Sequence, residues 1–286
     1  LFRSAQFRNK FKVRKVDIRT ASSVLSSIKD FGDYNRKRDL LTYETTRLSA
    51  YLKFGVVSAR EVYWAIREHL FLGKNKQGKG ASDLLKQLYW REFYMNIVWA
   101  YPYVLNGKNF NINYKANWIT DSSSASAKAT LMAWCNGKTG FPIVDACMTQ
   151  LNKTGFMHNR GRLITAGFLT KVLGWHWKFG ERYFATRLVD YDPAQNNGNW
   201  QFVAGSGVDQ QPYFRMFNPW LQSAKHDPNG EYIKHWCPQY KDFPAKVLHD
   251  EAKLLEYLNA NPSNNVIKPI VSYTTARDKT RKRYKK

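Results

Sequence analysis

Nowhere in this 286-residue sequence do eighteen apolar residues run together, so no membrane-spanning helix is expected. Cysteine is scarce: Cys135, Cys147 and Cys237 are odd in number and form no C-x-x-C pair. That argues against a disulfide framework and for a reducing compartment, cytoplasm or nucleus, not secretion. Period-two alternation, the mark of a half-buried strand, is rare, and no repeat of fixed length occurs. Acidic residues are short in number, 22 against 45 Lys and Arg, which gives a net charge of +23. Residues 1–19 and 277–286 each hold seven basic residues and one acid, leaving +11 on the body between them. The two ends read as solvated basic segments. A body that basic attracts polyanions, nucleic acid above all, with RNA not excluded by charge. The first residue is Leu, which leaves open that the chain is a piece of a longer one.

Aromatic residues, by contrast, are abundant at 15%, ten of them Trp, more than packing alone calls for. The length can bury one large core or two small ones. Helix signals dominate. Ser58 with Glu61 is a capping box, and Gly55 closes the segment before it. A Gly/Lys loop is expected at 75–80, followed by a helix capped by Ser82, with Leu84, Leu85, Leu88, Ile97 and Val98 at helical period and Pro102 at its end. Residues 106–126 read as loop. Pro142 and Gly155 bracket another helix, and 163–173 is a further amphipathic run. The expected organisation is a basic arm or linker over 1–20, an all-α domain over 21–276 and a basic tail over 277–286.

The stretch 183–230 stands apart. Asp190, Asp192, Asn196, Asn197 and Asn199 are interleaved with Leu188, Val189, Trp200, Phe202 and Val203. Carboxylates and amides cost several kcal/mol each to bury unpartnered, so this mixture reads as the wall of a ligand site. Gln87, Trp90, Arg91 and Tyr94 recur at i, i+3, i+4 and i+7 and share one helix face, suited to stacking and hydrogen-bonding a flipped-out base or, more plainly, to a core stripe. GKTG at 137–140 lacks the first glycine of a phosphate loop, since Met132 stands there, and no strand precedes it.

Four blocks resemble, in order, signatures of the photolyase/cryptochrome family: TTRLSAYLKFGVVSAR (45–60), QLYWREFY (87–94), WCNGKTGFPIVDACMTQLNKTGFMHNRGR (134–162) and DYDPAQNNGNWQFVAGSGVDQQPYFRMFNP (190–219). The match runs from about residue 34 to 244. The resemblance implies the family's helical FAD-binding domain without its N-terminal α/β antenna domain, so no antenna chromophore is expected on this chain. Tyr34, Thr45, Thr46, Arg47, Leu48 and Ser49 would grip the phosphates and adenosine arm of FAD. Arg162, paired with Asp190, would stabilise the reduced anionic flavin; Asp192 would face its polar edge and Asn196 its N5. Arg38, Gln87, Trp90, Asn159, Arg160, Leu163 and Phe202 map to substrate contacts. Trp200 and Trp177 match the inner and middle tryptophans of an electron-transfer chain, with Trp118 the nearest candidate for the outer one.

Gln87, Leu163 and Phe202 stand where the cyclobutane-dimer enzymes of the family carry Glu, Met and Trp. Neither Asn159 nor Leu163 is the His expected of enzymes for the (6-4) photoproduct. GFM, RGR, DYD, GNW and VAG are similar to the cryptochrome-DASH branch, associated with single strands. The implied function is light-driven splitting of cyclobutane pyrimidine dimers in UV-damaged DNA by a monomer, with an antenna-bearing chain as a further partner. The alternatives are a non-catalytic blue-light receptor, DASH-type repair, and a helical nucleic-acid-binding module without cofactor.

Overall fold

In a computed structural model of the chain, described over residues 18–72, 78–121, 123–208, 216–262 and 265–284, every regular element among the described residues is helical. β-Pairing there is limited to one isolated bridge between Ile119 and Trp175. The helices are α1 (Ile18–Ser26), α2 (Tyr34–Lys37), α3 (Ser49–Lys53), α4 (Ala59–Ile66), α5 (Gly78–Ala100), α6 (Ala125–Cys135), α7 (Pro142–Thr154), α8 (Asn159–Gly167), α9 (Trp177–Arg187), α10 (Pro193–Ala204), α11 (Pro219–His226), α12 (Glu231–Trp236), α13 (Ala245–Leu248), α14 (Glu251–Ala260) and α15 (Tyr273–Tyr284).

Local chemistry sets several boundaries as expected. Ser58 accepts from the Glu61 amide while Glu61 reaches back to the Ser58 amide, so the capping box opens α4. Pro142 is the first residue of α7, and Gly155 ends it at φ 69°, a left-handed conformation that a side chain would strain. Other boundaries differ. Ser82 is no cap, because α5 begins four residues earlier and takes in the end of the expected Gly/Lys loop; residues 73–77 of that region lie outside the described residues. Gly80 lies flush on the backbone of Gly32, where an added Cβ would stand 1.8 Å from the carbonyl oxygen. That close approach extends the helix backward. The run at 163–173 is not amphipathic but enclosed on nearly all sides: α8 ends at Gly167 and a π-helical turn, Phe168–Val172, follows.

Residues 1–17 of the arm expected over 1–20 lie outside the described residues, and 18–20 are not arm but the start of α1. At the other end, the basic run is no loose tail over its described part. Thr280 in α15 is buried and donates to the Lys171 carbonyl, and the Arg283 guanidinium rests against Gly174.

Burial divides the chain into two cores. The larger is built around Trp134, Trp175, Trp177, Phe141, Phe168 and Phe184, all completely enclosed. The smaller gathers Ile28, Tyr34, Tyr51, Val62, Ile66 and Leu84 from α1 to α5. Sites form preferentially at such seams. Here the seam is crossed by polar contacts: Ser49 to Asp190, Lys53 to Asp192 and Asp39 to Arg160.

Candidate functional site

Asp190 is the centre of these contacts. Its carboxylate, 3% exposed, accepts from the Arg162 Nη2 at 2.8 and 3.1 Å and from the Ser49 hydroxyl at 2.6 Å. Ser49 opens α3, Arg162 lies on α8 and Asp190 precedes α10, so three segments far apart in sequence converge here. Arg162 Nε donates to the Met157 carbonyl, fixing the guanidinium, while among the described residues Nη1 has no protein partner. Ser49 itself is exposed although its partner is buried, so the wall has an open side.

Asp192 caps α10: its Oδ1 accepts from the amides of Ala194 and Gln195, and Lys53 stands 3.7 Å from Oδ2. One turn on, Asn196 is buried and its amide donates to the Glu181 backbone and to Glu181 Oε1 at 3.1 and 3.0 Å. Glu181 on α9 is a residue the sequence reading missed. Burial, working against its bond from Asn196, raises its carboxyl above the ordinary value. Only the pairing of α9 with α10 reveals it.

The 45–49 segment divides. Tyr34 and Leu48 are buried in the smaller core, and the Leu48 amide reaches the Thr46 hydroxyl at 3.5 Å. Arg47 has φ 52°, a conformation rare outside glycine, pairs with Glu44, and lays its guanidinium over Phe156 at 4.9 Å. Thr45 and Arg47 line a cavity of about 370 Å³ with Phe156, His158, Tyr232 and Trp236, whereas Ser49 turns to the acid pair.

The substrate candidates spread along the same seam. On α5, Tyr94 is buried against Gly198 of α10, where an added Cβ would stand 2.2 Å from its ring, and the Gln195 side chain bonds the Arg91 carbonyl. Trp90, in ring contact with Tyr94 at 6.1 Å, is 45% exposed, so the aromatic face runs from core to solvent and is more than a core stripe. Gln87, half-buried, bonds back to the Asp83 carbonyl. Arg38 lies over the Tyr34 ring, and Arg160 pairs with Asp39 at 2.8 Å. Asn159 is exposed; Leu163 and Phe202 are half-buried on α8 and α10, which pack together.

Trp200 and Trp177 are fully buried and Trp118 half-buried. Trp200 rests on Gly180, whose added Cβ would meet its indole at 2.0 Å, and Gly180 lies one turn along α9 from Trp177. From Trp177 the rings continue outward through His176 at 5.4 Å to Trp118 at 4.6 Å and then Tyr114 at 5.6 Å. Burial lowers the His176 imidazole to about 4, so it is neutral at physiological pH.

GKTG is structural. The Asp145 carboxylate accepts from the Thr139 amide and hydroxyl and from the Gly140 amide, which consumes the donors a phosphate would need.

Residues 84–286 match the family described as the FAD binding domain of DNA photolyase. The deoxyribodipyrimidine photo-lyase of Vibrio cholerae is 42% identical over 79% of this chain and 48% of its own length; that of Escherichia coli is 42% identical over 87% and 51%. Among solved structures, a class III photolyase from Agrobacterium tumefaciens is similar at a TM-score of 0.84 and 34% identity over 94% of this chain and 55% of that one. A cryptochrome of Synechocystis sp. PCC6803 is similar at 0.84 and 29%, over 94% and 56%. The chain thus spans about half the length of the curated relatives it matches. With its helical fold and its acid–arginine seam, the chain belongs to the family of FAD binding domains of DNA photolyases.

Proposed function

We propose that this chain binds FAD at the seam and uses it, under blue light, to split cyclobutane pyrimidine dimers in UV-damaged DNA. The observation that carries the reading is the convergence of Ser49, Arg162 and Asp190, with Asp192 and Asn196 on the adjoining turn of α10. The donor set fits the group: hydroxyls of Thr45 and Thr46 for a diphosphate, and an Arg162 Nη1 without a protein partner among the described residues for a polar ring edge. When bound, reduced FAD supplies the photochemistry, an electron lent to the dimer and returned once its ring bonds part.

The protein's own residues do the rest. The Asp190 carboxylate orients Arg162, whose fixed positive charge in a water-poor site stabilises negative charge beside it. Glu181 holds the Asn196 amide in one orientation. Trp90 offers a stacking face at the solvent edge, and Gln87, Arg38, Asn159, Arg160, Leu163 and Phe202 are the further substrate contacts that the family resemblance supports. The basic body draws in the DNA backbone.

The test is direct: the flavin-loaded, reduced chain is mixed with dimer-containing oligonucleotides, single-stranded and duplex, and illuminated. Restored thymine in the light and none in darkness is expected. No restoration on either strand form, with flavin retained, overturns the repair reading and favours a light receptor.

A further inference from the structure

Resting on the flavin reading above, we propose that Asn109 is a positioning residue for the electron path. It holds the indole N–H of Trp177 and stabilises the oxidised form of that tryptophan. The Trp177 Nε1 donates to Asn109 Oδ1 at 2.9 Å. An indole N–H is a donor only, so the facing amide atom must be the oxygen. The other end of the amide, Nδ2, donates to the Tyr114 carbonyl at 3.5 Å, consistent with that orientation.

Asn109 is itself clamped. The amide of Phe110 donates to Gln201 Oε1 at 2.7 Å, and Gln201 Nε2 donates to the Lys108 carbonyl at 3.2 Å. One glutamine thus grips both chain neighbours of Asn109, and it sits on α10 immediately after Trp200. The residue that follows the inner tryptophan fixes the acceptor of the middle one. Gln201 is in turn held by donation to Asn197 Oδ1 and is buried.

The chemistry follows from what oxidation does to an indole. Losing one electron to the excited, oxidised flavin by way of Trp200 leaves Trp177 a radical cation whose N–H is far more acidic than before. The hydrogen bond to Asn109 therefore strengthens in the oxidised state, as charge-assisted bonds do. Trp177 is 1% exposed, so water does not supply this stabilisation. An amide oxygen is too weak a base to take the proton, so the hole stays a cation. It is filled by an electron from Trp118, with His176 neutral between the two rings. One electron moves inward at each step and no proton is lost from Trp177.

Flash photolysis of the full chain loaded with oxidised FAD tests this, through the spectrum and lifetime of the tryptophan radicals. Asn109→Leu should lower the yield of long-lived charge separation about tenfold, the difference between a charge-assisted and a missing bond. Asn109→Asp places a carboxylate that can accept the N–H proton. It should convert the radical-cation spectrum into that of the neutral indole radical, with a lifetime lengthened in D₂O. Asn109→Gln, which keeps the amide, should recover part of the wild-type yield. A purely structural role would alter flavin content or thermal unfolding without exchanging one radical spectrum for the other. Should Asn109→Leu not fold, the Asp and Gln variants carry the test alone. Wild-type radical spectra and lifetimes in the Asp variant overturn the inference; absence of any tryptophan radical in the wild-type chain overturns the flavin photoreduction on which it rests.

Discussion

Removing the carboxylate of Asp190 probes the seam where its energetics are concentrated. Asp190→Ala deletes two contacts to Arg162 Nη2 and one from Ser49, and leaves a guanidinium whose side chain is only 27% exposed. Breaking a buried ion pair from one side costs about 3–5 kcal/mol. Arg162 retains some access to water, and solvent recovers part of that cost while the site is open, so the stability loss of the flavin-free chain should be about 1–2 kcal/mol. Once a cofactor covers the site that escape closes. The remaining 2–3 kcal/mol or so then falls on flavin affinity, a weakening of roughly 30- to 150-fold. Fluorescence titration with FAD, alongside urea unfolding of the flavin-free chain, separates the two effects. Asp190→Asn, which keeps the shape without the charge, should fall between wild type and Ala. Flavin affinity that is unchanged or tighter in Asp190→Ala would refute the view that this carboxylate organises the site.

Three further outcomes follow from other parts of the fold. Trp90→Ala should weaken binding of dimer-containing DNA by about 1–3 kcal/mol, one base–aromatic stack, while leaving affinity for undamaged DNA nearly constant; equal losses on both would remove Trp90 from the lesion pocket. Gly180→Ala should destabilise the chain by about 1–3 kcal/mol in thermal unfolding, because the clash with the Trp200 indole outweighs the roughly 1 kcal/mol gain in helix propensity. His158, which caps α8 through its Nδ1, is held down to about 4 chiefly by burial. The folded state therefore binds fewer protons than the unfolded one. The contribution is fully present above about pH 6.5 and is lost as pH falls toward 4, up to about 3 kcal/mol. His158→Asn, which keeps a capping acceptor, should reduce the slope of the urea midpoint across that window, where His176 and His226 still contribute; a slope equal to wild type would contradict the assignment.

Much of this was legible in the sequence, and the reasons are local. Pro142, Gly155 and the Ser58–Glu61 box act within one turn of chain, so their boundaries could be read directly. The DYD segment announced itself because carboxylates beside apolar residues need partners, whereas HNRGR was legible only through its resemblance to the family, and Arg162 is the partner that Asp190 finds. What escaped depends on contacts between segments distant in sequence. Ser82 looked like a cap because the Gly80–Gly32 approach that carries the helix past it joins residues 48 apart. The 163–173 run has the period of an amphipathic helix, yet α15 and its Thr280 cover the face expected to meet solvent. Glu181 and Asn109 have no distinguishing neighbours in the chain; only the packing of α9 and α10 gives Glu181 to Asn196, and only the folding of 106–110 against Gln201 gives Asn109 to Trp177. Gln87 keeps its helical face but bonds its own backbone, a choice that spacing cannot foretell.

The central claim, that a flavin seated against Asp190 and Arg162 drives repair at the Trp90 face, is tested most directly by an action spectrum. Dimer splitting should be measured across the near-ultraviolet and blue on the reduced, flavin-loaded chain, and compared with the absorption of the same sample. The account predicts that the two curves coincide and that Asp190→Ala lowers both in proportion to lost flavin. Splitting in darkness, or an action spectrum that departs from flavin absorption, would contradict it.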